Sequence, residues 1–541
     1  MDLPDAVSQI GLLLAVVVSV AVLLRLARPQ GRWGLRLRRR LVAGVPLGTA
    51  LTVAVVVGFY LVVQGGLWHW FTPMTIPFRA WSYFYPLGML SAGIAHAGPN
   101  HLLGNVFGTL TFGILAEYAW SHFPEEKGSE TFTSLATNPY ARAVAFAAGS
   151  LLAAVFGSLF GLGPVIGFSG VVFAYAGFAL VRYPLATIVL LAGDGLVGQL
   201  YRAFNNPTVT GSASPSFSTP WWAGIAIQGH AVGFLLGVAF GVAVVRRRNL
   251  KPSAGLLWFG ALAFAVSKGL WAAYLFLGNG KFLLLRGVGT ALVFVLAGLV
   301  AAAVVASDRD LVPRIDLTRK EAAVGLLVCS LLALSLVAVP YNLLTVGETD
   351  PQGATVEARD YTVFYAEETA NQLVAAYDLP FYNASGVTES GVIVTSEARG
   401  IWWSPVSKSE LAFRGETRVR VGGVGWRETV VVNRTGWTTV GGPTAYRVTL
   451  RQPGEDPTLA YRSPPATAEP VIQGRNVSVV PADTGFQLRV TAGNVTRGIA
   501  PMPGINESAT IDGLRLVREK GTLYAVEDGT KVRVAKKETY N

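Results

Sequence analysis

Two kinds of apolar pattern divide this 541-residue chain. Up to about Pro340 the apolar residues come in long runs, near 8-25, 41-63, 101-119, 140-162, 168-183, 184-201, 222-245, 254-277, 286-306 and 322-341. Runs of this length suit helices that cross a hydrocarbon layer, so ten spans are predicted. After Pro340 the runs shorten to strand length and alternate, as in Tyr361 to Tyr365, Arg418 to Val421 and Lys531 to Val534. Period-2 segments separated by Gly, Pro and Asn predict a mainly β domain. One helix, Glu367 to Tyr377, is predicted to interrupt it.

Composition agrees with a polytopic membrane protein, since 51% of residues are hydrophobic and 14% charged. The net charge of +11 is concentrated before residue 342. Its clusters at 25-40, Arg182, Arg246-Arg247-Arg248 with Lys251, and Arg309 to Lys320 all fall on one face of the predicted topology. The positive-inside rule makes that face cytoplasmic and puts both termini outside the cell membrane. This distribution also explains the basic balance without nucleic acid. Asp2 and Asp5 precede the first run and the arginines follow it, the reverse of a signal peptide.

Residues 64-100 form a long aromatic connection suited to the membrane interface, either as a plain aromatic belt or as a substrate gate. His69 and His122 are expected to be interfacial loop residues. Asp194 is expected near the outer interface, with a lateral-gate role as the alternative. The one cysteine, Cys329, excludes an intrachain disulfide and is expected to be a small packing residue. Five Asn-x-Ser/Thr triplets, at Asn383, Asn433, Asn476, Asn494 and Asn506, are candidate glycosylation acceptors, all in the β-rich segment. No metal-ligand cluster or nucleotide loop is evident, so neither metal nor cofactor is expected.

Polar residues inside apolar runs carry the chemistry. His101 and Asn105 are four apart and share a helix face. Ser169, in Gly167-Phe168-Ser169-Gly170, follows Gly161-Leu162-Gly163-Pro164, which should end one helix and leave the serine at the start of the next. Free backbone N-H groups at such a start favour a developing oxyanion. His230 opens a run with Gly233, Gly237 and Gly241, and the serine run offers Gly170, Ala174 and Gly177. Small residues at this spacing let two helices approach closely, which would bring an imidazole base to the hydroxyl.

Three motifs, His96-x-Gly-x-x-His101-Leu-Leu-Gly-Asn105, Gly167-Phe168-Ser169-Gly170 and His230-x-x-Gly233-x-x-x-Gly237, resemble in their order the rhomboid intramembrane serine proteases. The resemblance covers about residues 65 to 245 and extends through Gly113 and Glu117. It implies that Ser169 is a nucleophile and His230 its base, without a third Asp. It implies an oxyanion hole of His101, Asn105 and the Ser169 N-H, with His96 in support. Two departures stand out: Phe173 where the family often has Tyr, keeping the stacking and losing the hydroxyl, and Ser82 after Trp81 where Trp-Arg is frequent.

The expected architecture is a polytopic α-helical membrane protein with a six-helix rhomboid-like core, about four extra helices and a mainly β soluble domain. Its parts are an extra helix and basic loop (1-40), the core (41-248), three extra helices (249-341) and an exported domain (342-541). The expected function is cleavage of membrane-protein substrates that enter laterally from the bilayer. An inactive rhomboid-like protein that binds or escorts membrane helices is the alternative. A transporter would want paired mid-membrane charges, and Asp194 stands alone.

Overall fold

The computed structural model describes residues 3-27, 32-208, 217-312, 315-347, 349, 351-373, 378-379, 382-383 and 387-541. They form two compact units, Met1–Leu275 with Phe282–Leu343, and Phe276–Lys281 with Leu344–Asn541.

The first unit is helical: α1 (Leu3–Ala27), α2 (Arg32–Arg40), α3 (Leu47–Gly58), α4 (Pro86–Ser91), α5 (Pro99–Gly108), α6 (Ile114–Trp120), α7 (Pro139–Leu159), α8 (Ser169–Arg182), α9 (Pro184–Asn205), α10 (Ile227–Arg247), α11 (Ala254–Ser267), α12 (Arg286–Val305), α13 (Arg319–Leu336) and α14 (Ala338–Asn342). Wide turns continue α3 to Val63 and join α5 to α6. Among the described residues, 7 helical stretches are long and apolar enough to cross a membrane, and three shorter apolar ones accompany them. Their outer faces expose Val17, Leu152, Val189, Phe240, Val295 and Leu326, a surface suited to lipid rather than water.

Local signals set the helix ends. Asn138 accepts from the N-H groups of Tyr140 and Ala141 to start α7, with Pro139 at the first helical position. Thr318 and Glu321 make a reciprocal capping box on α13. At the opposite end of the bundle from Ser169, Arg248 donates to the carbonyls of Ala119 and Trp120 at the close of α6 (3.1 and 3.2 Å). A cation there complements the negative helix end.

The centre of the bundle is the α8–α10 pair. A Cβ at Gly233 would fall on the carbonyl of Gly170, one at Gly237 on that of Ala174, and one at Gly177 on that of Phe234. Backbone therefore lies on backbone, as the matching small-residue stripes predict.

Several sequence expectations are corrected here. The run 254-277 is not one helix. It stops at Ser267 because Gly269 takes a left-handed φ of +76°, and the Leu270 N-H reaches back to Ala265 O (2.9 Å). A hairpin of Tyr274–Gly278 and Lys281–Leu284 follows. His122 is fully buried, not interfacial. Its Nδ1 accepts from the Val42 N-H (3.0 Å), which leaves Nε2-H to donate to Glu117 (2.6 Å). The buried Glu117 carboxylate also accepts from Gly48 N-H, Thr49 N-H and the Thr49 hydroxyl (2.7, 2.7 and 2.6 Å), capping α3 from across the bundle. Cys329 lies on the exposed side of α13 rather than in a packed contact.

The second unit is mainly β. An antiparallel sheet runs Thr458–Arg462, Thr444–Arg451, Trp426–Thr439, Thr530–Lys537, Thr522–Glu527, Leu514–Glu519, Ser508–Ile511, with Glu416–Gly423 also paired to Trp426–Thr439. Two four-stranded sheets accompany it, Ile401–Ser407, Thr388–Ser396, Tyr361–Ala370, Val356–Ala358 and Ala466–Thr467, Asn476–Ala482, Gly485–Ala492, Val495–Pro501. Leu488 with Val490, Leu514 with Leu516 and Leu523 with Ala525 enter one core at the period-2 spacing. Among the described residues one α-helix, the short α15 (Lys408–Arg414), lies in this unit. The predicted helix at 367-377 is not found where the chain is described. Glu367 to Ala370 belong to a strand, with Thr369 opposite Glu389 and Ala370 opposite Thr388, and 374-377 lie outside the described residues. Cross-strand pairing overrides the local helix preference of that segment.

Of the five candidate glycosylation sites, Asn433, Asn494 and Asn506 are exposed and Asn476 is half-buried. Asn383 has a strand backbone, and the Ser385 of its triplet lies outside the described residues.

Candidate active site

Ser169 is the first residue of α8, and the α7 helix ends at Leu159, so the Gly161 to Pro164 stretch does break the chain between them. His230 lies in the first turn of α10. The glycine contacts of α8 and α10 set these two starts side by side, and His230 Nε2 stands 2.7 Å from Ser169 Oγ. A hydroxyl donating to Nε2 requires the imidazole proton on Nδ1. That Nδ1 is buried and has no partner among the described residues, so no carboxylate orients the ring.

An aromatic face orients it instead. The Phe173 ring stacks on His230 with centroids 4.2 Å apart and planes at 15°. Phe264 of α11 meets Phe173 edge-on at 5.1 Å and stacks on Phe234 at 5.2 Å. A helix outside the predicted core thereby backs the ring that holds the histidine. Offset and edge-on aromatic pairs add about 0.5–1.5 kcal/mol each beyond the area they bury.

Gly167 carries a φ of +124°, a region costly for any residue with a Cβ. The His101 ring occupies the space where that Cβ would stand, and Asn105 Nδ2 would lie 3.5 Å from it. Both side chains thus converge on the backbone just before Ser169. The Ala97 N-H points to His101 Nδ1 at 3.4 Å, which keeps Nε2-H as the donor facing Gly167. Asn105 Nδ2 spends one hydrogen on His96 Nε2 (3.0 Å) and retains a second. His96 is fully buried and fixed at its backbone by Gln64, whose Oε1 accepts from His96 N-H and whose Nε2 donates to His96 O (2.8 and 2.9 Å). A cavity of about 40 Å³ opens beside the pair, lined by Gly93, Ala154, Gly157, Gly167, Ser169 and His230 among others.

The residues of the three motifs, with Phe173, therefore meet in one place: Ser169, His230, His101, Asn105, His96, Phe173 and Gly167, with Gly233 and Gly237 beneath. The connection 64-100 is split in role. Trp81 is buried and donates to Ile76 O (2.7 Å), while Trp68, Phe71 and Phe84 are exposed. Sequence reasoning missed Arg79, which donates to Pro164 O (3.1 Å), and Gln228, two residues before His230. Both are polar residues beside a motif, which is the signal that could have found them. Asp194 of α9 pairs with Lys268, just past α11. The partner charge comes from outside the predicted core and was invisible to a search for paired charges within it.

The fold and this site define a helical membrane protein with a hydroxyl, an imidazole and convergent hydrogen-bond donors at one end of its bundle. A family model, the Rhomboid domain, matches residues 77–247. That segment is similar to the rhomboid family, whose members are generally serine intramembrane proteases, some of them inactive. Comparison with curated proteins and with solved structures finds no match.

Proposed function

We propose that this protein is an active intramembrane serine endopeptidase acting on membrane proteins through Ser169 and His230. The observation that carries it is the 2.7 Å hydrogen bond between Ser169 Oγ and His230 Nε2, with His101 and Asn105 aimed at the adjacent backbone.

In the first step Ser169 Oγ attacks the scissile carbonyl while its proton passes to His230 Nε2. Negative charge gathers on the carbonyl oxygen, within reach of His101 Nε2-H, the free Asn105 Nδ2-H and the Ser169 N-H at the start of α8. Collapse breaks the C-N bond, and His230 returns the proton to the leaving amine. Water, deprotonated by the same imidazole, then releases the acyl group from Ser169. The adjoining cavity is small, about 40 Å³, so a substrate with a small side chain next to the scissile bond is favoured.

The apolar outer surface makes the bilayer the route by which a substrate helix arrives. The positive-inside rule, applied to the basic loops, supports a site at the outer side of the cell membrane and a β-rich unit outside the cytoplasm. Ser169→Ala and His230→Ala in liposomes should each abolish cleavage of a single-span reporter while the protein stays folded. A reactive fluorophosphonate should label Ser169 in the wild type and not in His230→Ala. Wild-type protein that binds the reporter without cutting or labelling would instead be an escort of membrane helices.

A further inference from the structure

We infer that α13–α14, beyond the matched domain, is a working part of the protease site, with Gln228 and Asn342 as the positioning residues that couple it to Ser169 and His230. The inference rests on the dyad proposed above.

Gln228 bridges three elements. Its Nε2 donates to Phe160 O (2.8 Å) at the end of α7 and to Leu334 O (2.6 Å) of α13, and its Oε1 accepts from Leu162 N-H (2.9 Å). Only Gly229 separates it from His230. Asn342 is fully buried, and its Nδ2 donates to Leu159 O (3.0 Å) and Gly161 O (3.3 Å). Its own carbonyl accepts from Tyr83 N-H (2.8 Å) and the Ser82 hydroxyl (3.3 Å).

These bonds serve a specific need. The last carbonyls of a helix have no partner within it, and in an apolar surround they must find donors elsewhere. Gly161 and Pro164 prevent α7 from running on, so Leu159, Phe160 and Gly161 present such carbonyls to Gln228 and Asn342. The Oδ1 of Asn342 is buried without a partner among the described residues, so the side chain is tolerated for its two donors. The segment held in this way, 159-165, runs directly into Gly167 and Ser169. Its far side is fastened by Arg79 to Pro164 O and by the Ala80 N-H to Val165 O (both 3.1 Å). Loss of the Gln228 or Asn342 donors frees one side of the segment that sets the serine against its base.

The test uses full-length protein in liposomes, with Gln228→Leu and Asn342→Leu compared with Leu326→Ala on the exposed side of α13. Displacement of a reacting group by about 1 Å can cost about a hundredfold, so kcat should fall by about tenfold or more in the first two variants. KM should stay within about twofold, because the substrate-binding surface is untouched. Fluorophosphonate labelling of Ser169 should slow in parallel, and amide exchange in 159-168 should quicken. Leu326→Ala should match the wild type in every readout. Should either leucine variant fail to fold, Gln228→Glu, which keeps the acceptor for Leu162, and Asn342→Asp, which keeps the volume, replace it. Folded variants with wild-type kcat and unchanged exchange would overturn the inference. A wild-type protein that never labels Ser169 would sink the dyad instead, and the exchange rates would still decide whether α13–α14 holds the segment.

Discussion

Phe173 lies flat against His230, ring centroids 4.2 Å apart, in a site where the outward imidazole nitrogen has no hydrogen-bond partner among the described residues. In a Ser-His pair without a carboxylate, ring stacking is left to set the tilt of the base. The Phe264 ring, meeting Phe173 at 76°, limits how far that stack can slide.

Phe173→Leu should therefore lower kcat while leaving KM nearly unchanged. Stacking worth about 0.5–1.5 kcal/mol corresponds to roughly two- to tenfold. Phe264→Ala should show a smaller loss of the same kind. Steady-state kinetics on a single-span reporter separates the two parameters, and a pure KM effect would argue that the ring contacts substrate instead.

Gly167→Ala should be nearly inactive without unfolding the bundle, since the new Cβ must displace the His101 ring and sits at a φ of +124°. Asn105→Ala removes one donor of the proposed oxyanion hole, a loss that in hydrolases costs on the order of 100- to 1000-fold in kcat. Far-UV circular dichroism with single-turnover cleavage checks both. Wild-type turnover in Asn105→Ala would remove it from the oxyanion hole.

Glu117→Gln should act on stability rather than chemistry. The carboxylate accepts four hydrogen bonds, from two backbone N-H groups of α3, the Thr49 hydroxyl and His122, and an amide nitrogen in its place sets donor against donor. A loss of about 1–3 kcal/mol is expected. Thermal unfolding in detergent should shift downward, with turnover per folded molecule retained.

Glu538→Gln should loosen the β-rich unit. Glu538 accepts from Arg434 Nε and Nη2 (3.1 and 2.8 Å) and from the Tyr540 hydroxyl (3.0 Å), and both charged groups are largely buried. Burial, and then the neighbouring carboxylate, push the Tyr540 hydroxyl up, so it remains a donor. Removing one member of a buried pair costs about 3–5 kcal/mol. Limited proteolysis of the intact protein should cut residues 344-541 faster, while Ser169 labelling is unchanged.

Much of the candidate site was legible because the chemistry proposed for it rests on rare residue types in apolar surroundings. Ser169, His230, His101 and Asn105 stand out among aliphatic neighbours, and Gly233 with Gly237 announces a close helix contact. Gln228 and Asn342 escaped notice because an amide near a helix end satisfies local hydrogen-bond rules in many ways. Their value lies in which carbonyls they meet across more than 60 residues of sequence. His122 was misplaced for a similar reason: a loop histidine reads as surface until its carboxylate partner is seen.

Long apolar runs determined that the first 340 residues would be mainly helical and membrane-bound, and period-2 alternation that the remainder would be mainly β, because run length and alternation are properties of the local chain. Only the tertiary structure decided the rest. The helix at Ala254–Ser267 ends early where Gly269 turns, the strand at Glu367 to Ala370 follows its partner rather than its propensity, and Phe264 reaches Phe173. Each depends on which atoms lie opposite one another in space, and sequence spacing does not carry that information.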